Sequence, residues 1–157
     1  AYSEQYGVKY TTFTPSNLYG PEDNFDLSSS HFVAAMVRKF YESQHGQQLE
    51  FWGSGRPMRQ QLYVGDMAKL IPVLLEKHLT NEPIIVSPNE NLTIEEMIKI
   101  CLKISSKDVQ YRFNGEYEGQ HRKDGSNKKL LDLIGQFEFT PFEEGLRQTY
   151  EWYKGAS

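Results

Sequence analysis

The sequence predicts a mixed α/β fold, and three observations predict it. Short runs rich in β-branched and aromatic residues alternate with longer stretches of helical apolar spacing along the 157 residues. Two of the short runs, VKYTTFT at 8–14 and PIIVS at 83–87, have strand composition. The second is of the kind buried on both faces of a parallel sheet. The helical stretches carry start and stop signals, clearest in the capping box TIEE at 93–96 and the closing Gly135. Two parallel-type strands are too few to make a sheet, so the rest of that sheet is expected outside this chain.

Each element follows in order. AYSEQY is a helix-like polar start without an initiator Met, and it reads as the edge of a longer chain. Strand 8–14 runs into PSNLYGPEDN, whose prolines and glycine mark a loop at the strand's C-terminal end. Ser30 is the expected N-cap of a helix at 31–44, with Phe32, Ala35, Met36 and Phe40 at helical spacing. QLEFWG is a short strand, GSGRP a turn, and RQQLYV a second strand. The next helix, 65–79, has Met67, Leu70, Ile71, Leu74 and Leu75 on one side. Pro72 must kink it or lie in its early turns. After strand 83–87 and the capped helix with Met97, Ile98, Cys101 and Leu102, residues 109–113 alternate as a strand. The polar stretch 114–130 reads as a loop. KKLLDLI is a short helix ended by Gly135. Thr140-Pro141-Phe142-Glu143 reads as cap, first-position proline and acid ahead of the last helix.

Composition narrows the function classes. Apolar residues make up 38% and aromatics 13%, enough for a packed core of one domain, or one core plus part of a second. A net charge of −4 argues against general nucleic-acid binding but leaves room for a local basic pocket. One cysteine excludes a disulfide within the chain and suits a reducing compartment. His and Cys show no metal-ligand spacing, so no metal is expected. No apolar run approaches the ~20 residues of a membrane span.

Candidate site residues each carry two readings. The turn at 53–55 reads first as a hairpin turn between strands, and second as a backbone N–H cradle for phosphate. Arg59 offers a bidentate fork to phosphate, or is a solvated charge like Arg56. Trp52 is a stacking face for a base or sugar, or a core anchor. His31 opens a helix, where a neutral imidazole can act as general acid or base; otherwise it is a surface histidine. Lys39 lies eight residues on, about 80° round the helix, so both can face one cleft. Asn17 follows a buried strand, where ligands of open α/β sheets bind, or sits in a plain connecting loop. Glu118, His121, Arg122 and Lys123 read as solvated loop charges; the second reading of Glu118 is an acceptor for sugar hydroxyls. Cys101 reads as core. Neither Tyr2 nor Tyr6 has a Lys four residues on, so neither completes a Tyr-x-x-x-Lys pair.

Taken in order, PSNLYGPEDNF, SSSHFVAAMVRK, FWGSGRPMRQQLYVGDMA and FTPFEEGL give a resemblance over about residues 1–153. The chain resembles the C-terminal half of the GDP-L-fucose synthase family, within the extended short-chain dehydrogenase/reductases. The glycine turn with Arg and YVGDMA is shared by many nucleotide-sugar epimerases and dehydratases; the other segments are more specific. The resemblance implies the C-terminal part of an NAD(P)-binding Rossmann-like fold with a small mixed α/β substrate-binding domain over residues 1–157. The dinucleotide-binding half would lie upstream. It implies conversion of GDP-4-keto-6-deoxy-D-mannose to GDP-L-fucose by 3,5-epimerisation and NADPH-dependent 4-reduction. It also implies a homodimeric, cytoplasmic full-length enzyme.

Roles follow from the same resemblance. Pro15, Ser16, Asn17 and Leu18 match a cofactor-contacting loop. His31 matches the histidine that reaches nicotinamide and substrate and acts as the acid in epimerisation. Lys39, Trp52 and Arg59 match contacts to the GDP-sugar, with Arg59 on the diphosphate and the hairpin as the device that carries Trp52 and Arg59. Glu118 stands where the family has Asp in an Asp-Gly-Gln-like run. The glycine fingerprint, the catalytic Ser, the Tyr-x-x-x-Lys pair and the active-site Cys of the family are not in this sequence, and Cys101 is not that cysteine. The chain alone is therefore expected not to turn over NADPH. The competing readings are a piece of another nucleotide-sugar epimerase or dehydratase, and a non-catalytic binding relative.

Overall fold

The computed structural model describes residues 1–80 and 82–156. The elements, in chain order, are α1 (Tyr2–Tyr6), β1 (Phe13–Pro15), β2 (Asn17–Tyr19), α2 (Phe32–Glu42), β3 (Gln48–Phe51), β4 (Met58–Arg59) and β5 (Gln61–Tyr63). They continue with α3 (Val64–Lys77), β6 (Ile84–Val86), β7 (Leu92–Thr93), α4 (Ile94–Ser105), β8 (Gln110–Phe113), β9 (Arg122–Lys123), α5 (Lys128–Ile134) and α6 (Phe142–Ala156). Among the described residues the strands form three parallel pairs, β1–β6, β2–β5 and β3–β8, and one mixed sheet in the order β7-β4-β9. No helix among the described residues is long and apolar enough to cross a membrane.

Two apolar clusters follow from the helical stripes. In the first, α2, α4 and α6 pack around β3 and β8 through Met36, Phe40, Phe51, Met97, Cys101 and Leu146. In the second, α3 and α5 cover β1 and β6 through Leu70, Leu74, Ile84, Val86 and Leu130. Cys101 is fully buried, and burial pushes its thiol well above the usual range, as a core cysteine requires.

The two expected parallel-type strands do pair in parallel, Phe13 with Ile84 and Pro15 with Val86. The pair is shorter than the sequence suggests: residues 8–12 lie outside it, because β6 offers only three residues of ladder. Nor is β6 buried on both faces, since Ile85 is 39% exposed.

Several local expectations are corrected. PSNLYG is not all loop: Asn17–Tyr19 is a strand in register with Gln61–Tyr63. The expected strand 59–64 divides at Gln60 into β4 and β5, which belong to different sheets. The reason is that the buried Gln60 side chain turns to the 125 region, donating to Pro88 O (2.8 Å) and accepting from Gly125 N (2.7 Å). Ser30 does not cap α2; extended His31 is the cap residue, with no side-chain cap bond. Pro72 falls in the third turn of α3, and the helix runs on through it. The carbonyl it leaves without a donor belongs to exposed Ala68, within reach of water. Stretch 114–130 holds β9, drawn beside β4.

Thr140 does not act as a helix cap. Its N–H and hydroxyl both donate to Asp66, while Glu90 receives the N–H of Phe142 at the start of α6. The capping box on α4 is as expected: Thr93 accepts from Glu96 N (3.1 Å) and Thr93 N donates to the Glu96 carboxylate (2.8 Å). These bonds hold the Glu96 carboxyl below its ordinary range. Thr93→Ala is expected to cost about 1 kcal/mol in urea unfolding at neutral pH. Because the folded-state value is the lower one, the Glu96 contribution is present above the ordinary Glu range. It fades as pH falls through that lowered value. A wild-type to Thr93→Ala gap below about 0.3 kcal/mol at neutral pH would remove the box from the stability of α4.

Candidate functional site

A cleft of about 750 Å³ opens between the first half of α2, the ends of β2 and β5, and the segments around residues 52–59 and 117–119. Helical spacing makes one wall. His31, Ala35 and Lys39 are four residues apart and line the cleft together with Phe32 and Met36. The opposite wall carries Trp52, Ser54, Arg59, Tyr117 and Glu118. The floor receives Ser16, Asn17, Leu18 and Gln61 from the β2–β5 register.

The glycine turn is not a hairpin. β3 pairs with β8 in parallel, while β4 pairs with β7 and β9, so the strands flanking the turn do not pair with each other. Residues 53–55 are a crossing between sheets, held from outside by the 113–118 segment. Gly53 N donates to Glu116 O (2.6 Å), Gly115 N donates to Gly53 O (2.9 Å) and Ser54 Oγ donates to Glu118 Oε1 (3.0 Å). Gly53 and Gly55 have φ of 75° and 77°, and a Cβ on Gly55 would stand 2.3 Å from the Phe113 ring. Glycine is needed there twice over, for backbone conformation and for ring clearance. The turn also makes a poor phosphate cradle, since the N–H groups of Gly53 and Arg56 already bond within the protein.

Every expected substrate-site residue lines the cleft, but not all do so as expected. Trp52 is no core anchor: it is 71% exposed and touches the Tyr117 ring at 5.5 Å. Arg59 donates Nη1 to Met58 O (2.7 Å), which braces the fork, and its Nη2 lies against Gly119. Among the described residues no carboxylate pairs with it. Arg56 is exposed and lies outside the lining. Lys39 Nζ donates to Glu50 O (2.9 Å) and sits 5.0 Å over the Phe51 ring. Burial pulls its pKa below the lysine range, with Glu50 acting against the shift. His31 is exposed and its side chain has no hydrogen-bond partner among the described residues.

The cofactor-loop candidates divide. Ser16, Asn17 and Leu18 line the cleft, whereas Pro15 sits in the β1–β6 ladder outside it. Asn17 Nδ2 donates to Gln60 O (3.2 Å), leaving its amide oxygen open. The hydroxyls of Ser16 and Ser30 are buried without a partner among the described residues, and both residues line the cleft. Among the described residues no group of three His, Cys, Asp or Glu is placed to hold a metal.

Two residues escaped sequence reading. Tyr117 lies in a stretch whose polarity reads as solvated loop, and nothing in its spacing points to the cleft. Asp66 belongs to the YVGDMA motif but faces away from the cleft, fully buried, bonded to Thr140 and Lys69. Of the basic run at 121–123, Arg122 is neutralised by two 2.9 Å bonds to Asp124.

Residues 1–87 match the NAD dependent epimerase/dehydratase family. The chain is 34% identical to the GDP-L-fucose synthase of Escherichia coli (strain K12), over 98% of this chain and 51% of that protein. It is 31% identical to the GDP-L-fucose synthase of Dictyostelium discoideum, over 98% and 49%. The chain thus spans about half the length of the curated relatives it matches. Among solved structures, a GDP-L-fucose synthetase from Naegleria fowleri bound to NADP superposes with a TM-score of 0.85 at 31% identity, over 92% of this chain and 46% of that one.

Proposed function

Because this chain belongs to the NAD dependent epimerase/dehydratase family, we propose that it is the GDP-sugar-binding half of a GDP-L-fucose synthase. The whole enzyme would convert GDP-4-keto-6-deoxy-D-mannose to GDP-L-fucose by 3,5-epimerisation and NADPH-dependent 4-reduction. One observation carries the reading: three separate segments bring His31, Lys39, Trp52, Arg59 and Glu118 to one cleft. Its cationic side chains, Lys39 and Arg59, match a diphosphate in a chain that is otherwise acidic.

The roles follow from the chemistry of the side chains. Arg59, with no competing carboxylate among the described residues, holds the diphosphate, and Lys39 adds charge from the facing helix. His31 has an unengaged imidazole and returns a proton at a ring nitrogen to a sugar carbon next to the keto group, where acidity permits exchange. Ser16 fits the nicotinamide end of NADPH, since the residue lines the cleft and its buried hydroxyl has no partner among the described residues. Asn17 and Leu18 would complete that contact. The cofactor's contribution when bound is hydride for the 4-keto group. The Tyr that donates the accompanying proton, and most of the cofactor site, would come from the upstream half, so this chain alone is proposed to be inactive. The resemblance adds a homodimeric cytoplasmic enzyme to this reading.

Calorimetric titration of the chain with GDP-, UDP- and dTDP-sugars tests the proposal. Preference for the GDP-sugar is expected. Equal binding of all three, or preference for UDP or dTDP, would turn the reading to another nucleotide-sugar enzyme.

A further inference from the structure

The exposed aromatic pair at the cleft rim has no structural task of its own. Trp52 and Tyr117 are 71% and 79% exposed, so neither ring serves a core. Their centroids are 5.5 Å apart and their planes meet at 51°, which makes a corner and not a parallel slot. A flat ring laid on one face is flanked by the other.

The backbone is built to present Tyr117. Its φ of 56° is left-handed, a conformation uncommon outside glycine that recurs at ligand sites. Both neighbours are tied to the glycine turn, Glu116 O to Gly53 N and the Glu118 carboxylate to Ser54 Oγ. Tyr117 is thereby projected between two anchored residues, against the ring that the same turn carries. Beside it, the Glu118 carboxylate is exposed and has no cationic partner among the described residues. A carboxylate in a cleft for an anionic ligand must face the ligand's donors, away from its phosphates.

We propose that Trp52 and Tyr117 form the base-stacking corner of the nucleotide site and that Glu118 accepts from the N1–H and N2–H donors of guanine. This rests on the GDP-sugar reading above and goes further, assigning Tyr117 to the site and Glu118 to the base instead of the sugar. The chemistry selects guanine, because adenine presents an acceptor at N1 and only a C–H beside it, and uracil presents one N–H flanked by acceptors, so neither offers a carboxylate two adjacent donors.

The test is titration of the folded chain with GDP, ADP and ribose 5-diphosphate, which lacks a base. Tyr117→Ala is expected to weaken GDP by about 5- to 150-fold and leave ribose 5-diphosphate unchanged. Tyr117→Gly removes the ring and relieves the left-handed backbone, so the same loss in that variant excludes misfolding as its cause. Glu118→Gln is expected to erase the preference for GDP over ADP. GDP binding that survives both Tyr117 changes overturns the corner. Equal weakening of GDP and ribose 5-diphosphate by Glu118→Gln places that carboxylate on the ribose and overturns the base assignment. Absence of GDP binding by the unaltered chain overturns the GDP-sugar reading as well, so the two failures are distinguishable.

Discussion

Arg59→Ala is expected to lower affinity for GDP by about 100-fold. The guanidinium would make two parallel charge-assisted bonds to the diphosphate, each contributing roughly 1.5 kcal/mol or more. Among the described residues no carboxylate competes for it, and the Nη1 bond to Met58 O (2.7 Å) holds the fork in place before ligand arrives. Little side-chain entropy is then lost on binding. Arg59→Lys keeps the charge without the fork and should recover only part of the loss. Isothermal titration with GDP reads the effect, and circular dichroism of the variant checks that the partly buried side chain was not needed for folding. Equal affinity of wild type and Arg59→Ala would take Arg59 off the diphosphate.

Asp66→Ala should destabilise the chain by about 2–3 kcal/mol. The carboxylate is fully buried and accepts from Thr140 N (2.6 Å) and Thr140 Oγ1 (2.9 Å), joining the first turn of α3 to the segment entering α6. Removing it leaves two donors of Thr140 without their acceptor and opens a small void between the two clusters. Asp66→Asn should cost less, since its amide oxygen still accepts from one donor. Urea unfolding measures both. A change below about 1 kcal/mol for Asp66→Ala would mean that water replaces the carboxylate and that the junction is open. GDP affinity of the folded fraction should be unchanged, because Asp66 lies outside the cleft.

Those two residues stand seven positions apart, in YVGDMA and its upstream arginine, close enough to read as one motif, yet they do different work. Sequence reading reached Arg59 because a forked cation beside a glycine turn has few tasks in an acidic chain. It could not separate Arg59 from Asp66 by role, because Arg59 lines the cleft while Asp66, outside that lining, is bonded to Thr140 ahead of α6. The direction of each side chain depends on pairing partners far away in the chain.

The capping box on α4, the glycine closing α5, the stripe of α2 and the parallel-type strands were all legible, because each depends on spacing within one segment. The stripe even placed His31 and Lys39 on one wall. The glycine turn shows the limit. Its residues demand positive φ, and that much is local chemistry. Whether the flanking strands then meet each other or part is decided by β8 and β9, some 60 residues away, which pair with β3 and β4 respectively. The same distant segment supplies Tyr117 and Glu118, exposes Trp52 and turns a presumed hairpin into the crossing that forms one side of the cleft. Sequence alone determined the helices, the caps at the start of α4 and the end of α5, and the residue types suited to a phosphorylated ligand, since these rest on contacts three or four residues apart. Only the tertiary structure decided which strands pair and which side chains share the cleft, since those rest on hydrogen bonds and ring contacts between segments that no local pattern links.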